Sequence, residues 1–277
     1  MANKATALLL ASHPGPTLVV TAVATLLGVG LGYSPGRLAV LALAILLGQL
    51  SIGWSNDWLD AARDAAVHRT GKPAAQGAIS VGAVRSAAFV ALAGALVVTA
   101  FLGPLAVAAH AIAIAGGWAY NVGLKSTVAS FVPFAVSFGL LPAIATLGQP
   151  DPRFTAPWVV AAGALLGVAA HVTNVLPDLA DDAATGIRGL PHRLGAVPSG
   201  LIAFACLAAA TITLTFGPGW PPRALLVVGL VLGLAVAALG VVLLVRRTPT
   251  RLLMQLIMTC AIVDVAMLVL AGQSVVT

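Results

Sequence analysis

Carboxylates are concentrated in two short segments of this chain. Six of its eight acidic residues lie in residues 56–64 and 178–182, every one of them is Asp, and the chain contains no Glu. Asp57, Asp60 and Asp64 are spaced i, i+3 and i+7, which places three carboxylates on one face of an α-helix. Like charges at this spacing repel one another, so the pattern predicts a bound cation that offsets them.

The second acidic segment has the same character. Asp178 and Asp182 are spaced i and i+4, and Asn174 lies one helical turn before Asp178. Asn56 precedes Asp60 by one turn, and its amide could bind a metal ion or a phosphate oxygen. Oxygen-rich sites of this kind suit Mg²⁺, which is usually held by one or two carboxylates together with substrate phosphates and water. The two segments therefore predict a Mg²⁺ site for a phosphorylated substrate.

Basic residues follow both acidic segments, and with the metal ion they could neutralise a departing diphosphate. Loop charges that only set membrane topology are the alternative explanation. The predicted catalytic and metal-binding residues are Asp57, Asp60, Asp64, Asp178 and Asp182. The predicted diphosphate-binding residues are Asn56, Arg69, Lys72, Lys125, Asn174, Arg188 and Arg193.

The composition is that of an integral membrane protein. Hydrophobic residues make up 60% of the 277-residue chain and charged residues only 8%, far below the roughly 25% of soluble proteins. The net charge of +6 is not accompanied by a contiguous basic stretch with interleaved aromatic residues, so we predict no nucleic-acid partner.

Nine apolar runs have the length that a membrane-spanning helix requires, about 17 to 25 residues. Pro and Gly punctuate the breaks between them, as in Gly103-Pro104 and Gly148-Gln149-Pro150. The predicted spans are residues 15–33, 37–55, 82–102, 104–121, 127–147, 156–176, 198–217, 223–245 and 250–272.

The distribution of basic residues predicts the orientation of these spans, because cytoplasmic loops collect Lys and Arg. With a cytoplasmic N-terminus, only Arg37, Arg153 and Arg223 of the 14 basic residues fall outside. Both acidic segments then face the cytoplasm, and the protein is expected in the cell membrane. Residues 1–12 show no processing site, so we expect the first span to be retained.

Three longer stretches extend the two acidic segments into an ordered set of motifs. They are Asn56-Asp57-x-x-Asp60-x-x-x-Asp64 with Arg69-Thr70-x-Lys72-Pro73, then Tyr120-Asn121-x-x-Leu124-Lys125-Ser126-Thr127, then Asp178-x-x-x-Asp182-x-x-x-Gly186 with Leu190-Pro191-x-Arg193-Leu194-Gly195. This set resembles the signatures of the UbiA superfamily of intramembrane prenyltransferases, in the same order and over most of the chain.

The resemblance implies one domain over residues 1–277, an all-α membrane protein with nine transmembrane helices around a central cavity and cytoplasmic cap loops. It implies that Mg²⁺ bridges the carboxylates and a prenyl diphosphate, and that the isoprenyl group passes to a small lipophilic acceptor, aromatic or a quinone precursor. By motif position, Arg69, Lys72 and Lys125 would contact phosphate. Asn56 and the five named Asp residues would bind metal and diphosphate.

Two departures from the family pattern bear on the ligands. His13-Pro14 stands where the family often has Arg-Pro, so an acceptor contact is expected to differ. Lys72-Pro73 stands near a family Arg-Pro-Leu, and Lys offers a point charge where Arg offers a planar fork. We therefore expect a looser diphosphate contact at Lys72.

Alternative functions and roles remain open at this point. A terpene cyclase of the same superfamily would ionise the same diphosphate without an external acceptor, and a cation or organic-ion transporter is a less favoured class. His68, His192 and the intramembrane Asp264 have no assigned role, although an intramembrane carboxylate is a functional candidate by default. His110 and His171 lie within predicted spans, where we expect interior or cavity-lining side chains. Tyr120 could also brace a carbocation.

Overall fold

The computed structural model describes residues 3–67, 69, 71–246 and 250–277, without the side chains of residues 180, 181, 250, 251 and 273. His68, Arg247 and the side chains of Asp181 and Arg251 therefore lie outside the described part. The described chain is helical, with helices α1 Lys4–Ala11, α2 Pro14–Gly30, α3 Pro35–Ala66, α4 Val81–Ala100, α5 Pro104–Val122, α6 Val132–Leu147, α7 Pro157–Val175, α8 Leu179–Ala184, α9 Leu190–Leu194, α10 Ala196–Phe216, α11 Ala224–Val245 and α12 Thr250–Ala271.

Each of the nine predicted spans coincides with a long helix of the described chain. Within the described residues, seven helices are long and apolar enough to cross a bilayer, and α1 with α2 would form an eighth span across a 63° bend. Helix α6 is apolar but has only 16 residues. The all-α membrane fold is confirmed, while the count of nine crossings and the cytoplasmic orientation stay predictions.

Proline and glycine set the helix boundaries. Pro14, Pro35, Pro104 and Pro157 each lie in the first turn, where the missing N–H costs no helical hydrogen bond. Before Pro104, Gly103 has a φ of 125°, a conformation that residues with a Cβ rarely adopt. These local signals explain why the breaks were predictable from the sequence.

Helix α3 is longer than the predicted span 37–55. Its 32 residues extend about 48 Å at 1.5 Å per residue, whereas a bilayer core is about 30 Å thick. The helix continues to Ala66, so the first acidic segment is part of it and the polar connection begins only at residue 67. The connection between α7 and α10, where the resemblance implied a cap loop, contains the two short helices α8 and α9 within residues 179–194.

The helices form a closed bundle in which small residues allow close approach. Helix α3 packs against α2, α4 and α5, helix α7 against α6 and α10, and α12 returns to α2. A Cβ on Gly163 would lie 2.6 Å from the Phe138 carbonyl oxygen, and one on Gly167 would lie 2.3 Å from that of Phe134. Glycine is therefore required where α6 crosses α7.

Candidate functional site

A polar cavity of about 140 Å³ lies where the C-terminal part of α3 meets the connections after α5 and α7. Eight of the twelve predicted site residues line it: Asn56, Asp60, Arg69, Lys72, Lys125, Asn174, Asp178 and Asp182. Residues 56 and 182 are distant in sequence, so the fold brings the two acidic segments to one site. Five further residues complete the wall: His13, Arg63, Tyr120, Val175 and Ile187.

The three carboxylates of α3 share one buried face, as the spacing predicted. Asp57, Asp60 and Asp64 are at most 5% exposed. Asp60 reaches the cavity, whereas Asp57 and Asp64 lie behind its wall. The Asp57 Oδ1 and Asp64 Oδ2 atoms are buried and receive no hydrogen bond from any described residue. Both oxygens face the Lys72 ammonium group as ion-pair partners without a hydrogen bond.

Lys72 holds the first polar connection against α3. Its Nζ atom donates to Asn56 Oδ1 at 2.9 Å and lies 3.9 Å from Asp57 Oδ1 and 3.8 Å from Asp64 Oδ2. The Ala74 amide donates to Asp57 Oδ2 at 3.1 Å. Burial lowers the pKa of Lys72, although the neighbouring carboxylates oppose that shift. The carboxylates of Asp57 and Asp64 therefore hold the Lys72 ammonium group in place, and its positive charge partly neutralises theirs.

His13 contributes to the same corner from the bend between α1 and α2. Its Nε2 atom lies 3.1 Å from Lys72 Nζ, and because an ammonium only donates, the His nitrogen accepts. His13 occupies the position where the resemblance predicted an altered acceptor contact. The structure places that position in the cavity wall.

Arg69 joins the two acidic segments. Its guanidinium lies 3.7 Å from Asp64 Oδ1, 3.5 Å from Asp182 Oδ1, and in direct contact with Asp178. Burial lowers the pKa of Arg69, but the three carboxylates more than offset this, so its pKa lies above the ordinary value. A permanent cation thus lies between the two acidic segments.

Lys125 is placed by a hydrogen-bond network at the end of α5. It lies in a 3₁₀ turn, Leu124–Ser126, and its Nζ contacts Asp60. Just before it, Asn121 donates from Nδ2 to Ser55 Oγ at 2.8 Å, and its Oδ1 accepts from Asn56 at 3.2 Å. Burial lowers the pKa of Lys125, with Asp60 opposing the shift.

The second acidic segment leaves regular α-helix geometry at Asp178, which lies in the 3₁₀ turn Leu176–Asp178. Asp182 lies in α8, and its carboxylate is also 3.6 Å from His192 Nε2. Burial raises the pKa of Asp182, while Arg69 opposes that shift. The spacing of four residues still directs both carboxylates to the cavity, although they do not share a single α-helix.

Arg188 and Arg193 do not line the cavity. Both are exposed, and Arg193 donates from Nε to the Arg188 carbonyl oxygen at 3.0 Å. The structure instead places Arg63 there, with Nη2 2.7 Å from Asp60 Oδ2. The position of Arg63 three residues after Asp60 was the available signal. For His13 the signal was its place in the family pattern, which did not indicate a contact with Lys72.

The oxygen donors of the cavity are chemically suited to a hard divalent cation. No group of three His, Cys, Asp or Glu side chains among the described residues converges closely enough to surround a metal ion. The cavity carboxylates fit Mg²⁺, which keeps several waters and shares substrate phosphate oxygens. The buried Asp57 Oδ1 and Asp64 Oδ2 atoms accept no hydrogen bond and face the Lys72 ammonium group at 3.9 and 3.8 Å, so they add oxygen donors to this set. The residues thus fit a metal ion that arrives with a phosphorylated ligand.

Apolar helices, together with a cavity lined by two acidic segments and by lysine and arginine side chains, define a polytopic membrane protein with a charged cavity. The chain belongs to the UbiA prenyltransferase family, whose sequence model matches residues 17–262. This confirms the resemblance carried by the three motifs.

Solved structures share the fold. A UbiA homolog from Archaeoglobus fulgidus bound to GPP and Mg²⁺ superposes with a TM-score of 0.74 at 16% identity, over 96% of this chain and 99% of that one. The apo UbiA homolog from Aeropyrum pernix K1 gives 0.72 at 17%, over 98% and 99%. A structure described for digeranylgeranylglyceryl phosphate synthase gives 0.73 at 13%, over 97% and 98%. No curated protein matches the chain.

Proposed function

We propose that this protein is an intramembrane prenyltransferase that moves an isoprenyl group from a prenyl diphosphate to a small aromatic or quinone-precursor acceptor. The observation that carries the proposal is the position of Arg69 between Asp64, Asp178 and Asp182, because it brings both acidic segments and their counter-charges to one cavity. Family membership and the fold shared with a GPP- and Mg²⁺-bound homolog support this reading.

The Asp residues of both segments would hold Mg²⁺. The Asn56 amide would either supply a further oxygen ligand or donate a hydrogen bond to a phosphate oxygen. When bound, it would neutralise the diphosphate oxygens and so stabilise the leaving group. We assign its ligands to Asp57, Asp60, Asp64, Asp178 and Asp182.

The cationic side chains would bind the diphosphate itself. Arg69, Lys72 and Lys125 line the cavity, with Asn56 and Asn174 beside them, and Arg63 joins this group from the structure. Fixed cations aimed at the atoms where charge develops lower the barrier without reorganising during the reaction. Arg188 and Arg193 lie outside the cavity wall, so in this proposal they attract the anion at longer range.

The chemistry would break the carbon–oxygen bond between the prenyl group and the diphosphate, which leaves with the bonding electron pair. The allylic cation would then bond to a nucleophilic atom of the acceptor, which loses a proton. Apolar helices exclude the water that would otherwise quench the cation. The edge-on contact of Tyr120 with Phe134, ring centroids 5.1 Å apart, adds an aromatic wall.

Loss of a carboxylate from either segment tests the proposal. Membranes containing Asp57→Ala or Asp182→Ala are supplied with labelled geranyl diphosphate, MgCl₂ and a phenolic acceptor, and released diphosphate and prenylated product are measured. We expect both rates to fall on the order of 100-fold or more. Asp151→Ala changes an exposed carboxylate and serves as the control. Full diphosphate release in both variants would overturn the proposal.

Product analysis with the donor alone separates transfer from cyclisation. Geranylgeranyl diphosphate and Mg²⁺ are incubated with the protein without any acceptor, and the lipid extract is analysed. The transferase proposal expects no cyclic product. A cyclic hydrocarbon or alcohol would instead assign the protein to the terpene cyclases of the superfamily.

A further inference from the structure

Asn121 lies behind the wall of the charged cavity between the two acidic segments. It belongs to the last turn of α5, is 4% exposed, and does not line the cavity itself. Its Nδ2 atom donates to the Ile52 carbonyl oxygen at 2.9 Å and to Ser55 Oγ at 2.8 Å. Its Oδ1 atom accepts from Asn56 Nδ2 at 3.2 Å. Asn121 therefore connects the backbone of α3 to a side chain that lines the cavity.

The Ile52 carbonyl group determines which end of the Asn121 amide is the nitrogen, because a carbonyl oxygen can only accept. Ser55 Oγ donates its single proton to the same carbonyl oxygen at 2.9 Å, so towards Asn121 the hydroxyl must be an acceptor as well. Both Nδ2 protons of Asn121 are thus used on α3, and its oxygen faces Asn56. The direction of this amide is set by α3.

The Asn56 amide is oriented by the same chain of hydrogen bonds. Its Nδ2 atom donates to Asn121 and, at 3.1 Å, to Asp60 Oδ2, while its Oδ1 atom accepts from Lys72 Nζ at 2.9 Å. In a reversed amide, the oxygen would face two acceptors and the NH₂ group would face an ammonium group, which would leave these polar atoms unpaired. The oxygen of Asn56 is therefore the end directed at cations.

We propose that Asn121 is a positioning residue for diphosphate binding, because it fixes the Asn56 amide and thereby the Lys72 ammonium group. Lys72 Nζ makes no hydrogen bond to Asp57 Oδ1 or Asp64 Oδ2, which lie 3.9 and 3.8 Å away behind the cavity wall. Without the bond to Asn56, those two carboxylates would draw the ammonium group away from the cavity. The inference rests on the proposed function, which gives Lys72 a diphosphate ligand.

The test measures binding of inorganic diphosphate to the whole protein in nanodiscs by calorimetry, with MgCl₂ and without a prenyl donor. Asn121→Leu, which keeps the size of the side chain and removes its polar atoms, should raise the Kd about three- to tenfold. The loss should be partial, since His13 Nε2 still accepts from Lys72 at 3.1 Å. A dissociation constant does not depend on the folded fraction, so lower stability alone would not change it.

A second background separates positioning from a general structural effect. In Asn56→Ala the amide that Asn121 orients is absent, so Asn121→Leu should raise the Kd there by no more than about twofold. Trp118→Phe is the matched control, because Trp118 Nε1 donates to Ser51 Oγ at 3.0 Å between the same two helices without contacting Asn56. It should leave the Kd unchanged.

Hydrogen exchange in the wild-type protein gives an answer even if Asn121→Leu fails to fold. Selective ¹⁵N labelling of asparagine reports the side-chain NH₂ groups. The two Asn121 Nδ2 protons should exchange slowly, because both are donated to buried oxygens of α3.

An unchanged Kd in Asn121→Leu, an equal loss in the Asn56→Ala background or in Trp118→Phe, or rapid exchange of the Asn121 protons would overturn the proposal. Each of these results leaves diphosphate binding to the wild-type protein intact. A wild-type protein that binds no diphosphate would contradict the proposed function as well, so the two failures are distinguishable.

Discussion

Arg69, in the connection after α3, is ion-paired with Asp178, which follows α7 and lies 109 positions further along the chain. The same guanidinium reaches Asp64 at 3.7 Å and Asp182 at 3.5 Å. One side chain therefore connects the two acidic segments across the cavity. Because guanidinium stays charged at any working pH, this connection does not depend on the protonation of Arg69.

Replacement of Arg69 should impair donor ionisation. We expect Arg69→Ala to lower diphosphate release on the order of 100-fold, since it removes a fixed cation from the diphosphate site. Arg69→Lys should keep more activity, although a point charge cannot contact two carboxylates as a planar fork does. Kinetics with geranyl diphosphate in proteoliposomes measure both. Arg85→Ala, at an exposed position of α4, is the control, and equal activity of all variants would contradict this role.

Metal and diphosphate should bind together. Three converging acidic or histidine ligands are not found among the described residues, and Lys72, Lys125 and Arg69 occupy the space between the carboxylates. Mg²⁺ alone should therefore change the thermal unfolding temperature little. Mg²⁺ with inorganic diphosphate at 100 times its Kd should stabilise the protein by about 2.7 kcal/mol.

Thermal unfolding in nanodiscs with each ligand alone and with both measures this cooperation. Asp182→Asn should remove most of the joint effect. A stabilisation by Mg²⁺ alone as large as that by both ligands would instead indicate a complete metal site before the substrate binds.

Gly189 should be required for the second connection to pack correctly. A Cβ at this position would lie 2.5 Å from the Lys125 carbonyl oxygen, and the next amide, Leu190 N, donates to Ser130 Oγ at 3.0 Å. Gly189→Ala should displace the second acidic segment from Lys125 and lower diphosphate release by up to about 100-fold. Gly82→Ala, where a Cβ meets nothing within 4 Å, should leave the rate unchanged. Equal rates for both variants would refute this requirement.

Asp264 is expected to act in stability and not in catalysis. It is fully buried in α12, outside the wall of the charged cavity, and accepts a hydrogen bond from Thr211 at 2.6 Å. Thr211→Val should lower the free energy of unfolding by about 1 to 3 kcal/mol. Diphosphate release per folded molecule should stay unchanged.

Denaturation and activity measured on the same preparation test this separation. Thr259→Val provides the comparison, because its exposed hydroxyl only donates to the Gln255 carbonyl oxygen of its own helix. A fall in turnover at wild-type stability in Thr211→Val would give Asp264 a functional role.

The positions of the three α3 carboxylates could be predicted from the sequence because they depend on a single helix. The i, i+3, i+7 spacing of Asp57, Asp60 and Asp64 places them on one face of α3 whatever surrounds that helix, and the structure confirms it. The Pro and Gly breaks were equally local. The family was recognisable because its motifs are contiguous.

The contacts between residues far apart in the sequence could not be predicted in the same way. Arg188 and Arg193 stand beside the second acidic segment in sequence, yet their side chains lie outside the cavity wall, whereas Arg63 and His13 line it. Sequence proximity predicts a neighbour along the chain but not the direction of a side chain on an irregular connection. The length of α3 was also underestimated, because polar residues on a buried face look like a loop when read by hydropathy.

The sequence by itself determined an all-α membrane protein of the UbiA prenyltransferase family, with its carboxylates on defined helix faces, since composition, helical periodicity and contiguous motifs are properties of the chain alone. The tertiary structure decided which charges meet. The Arg69–Asp178 pair and the Lys125–Asp60 pair both depend on packing between residues far apart in sequence. Such contacts arise only when the bundle closes and burial selects which polar groups must pair.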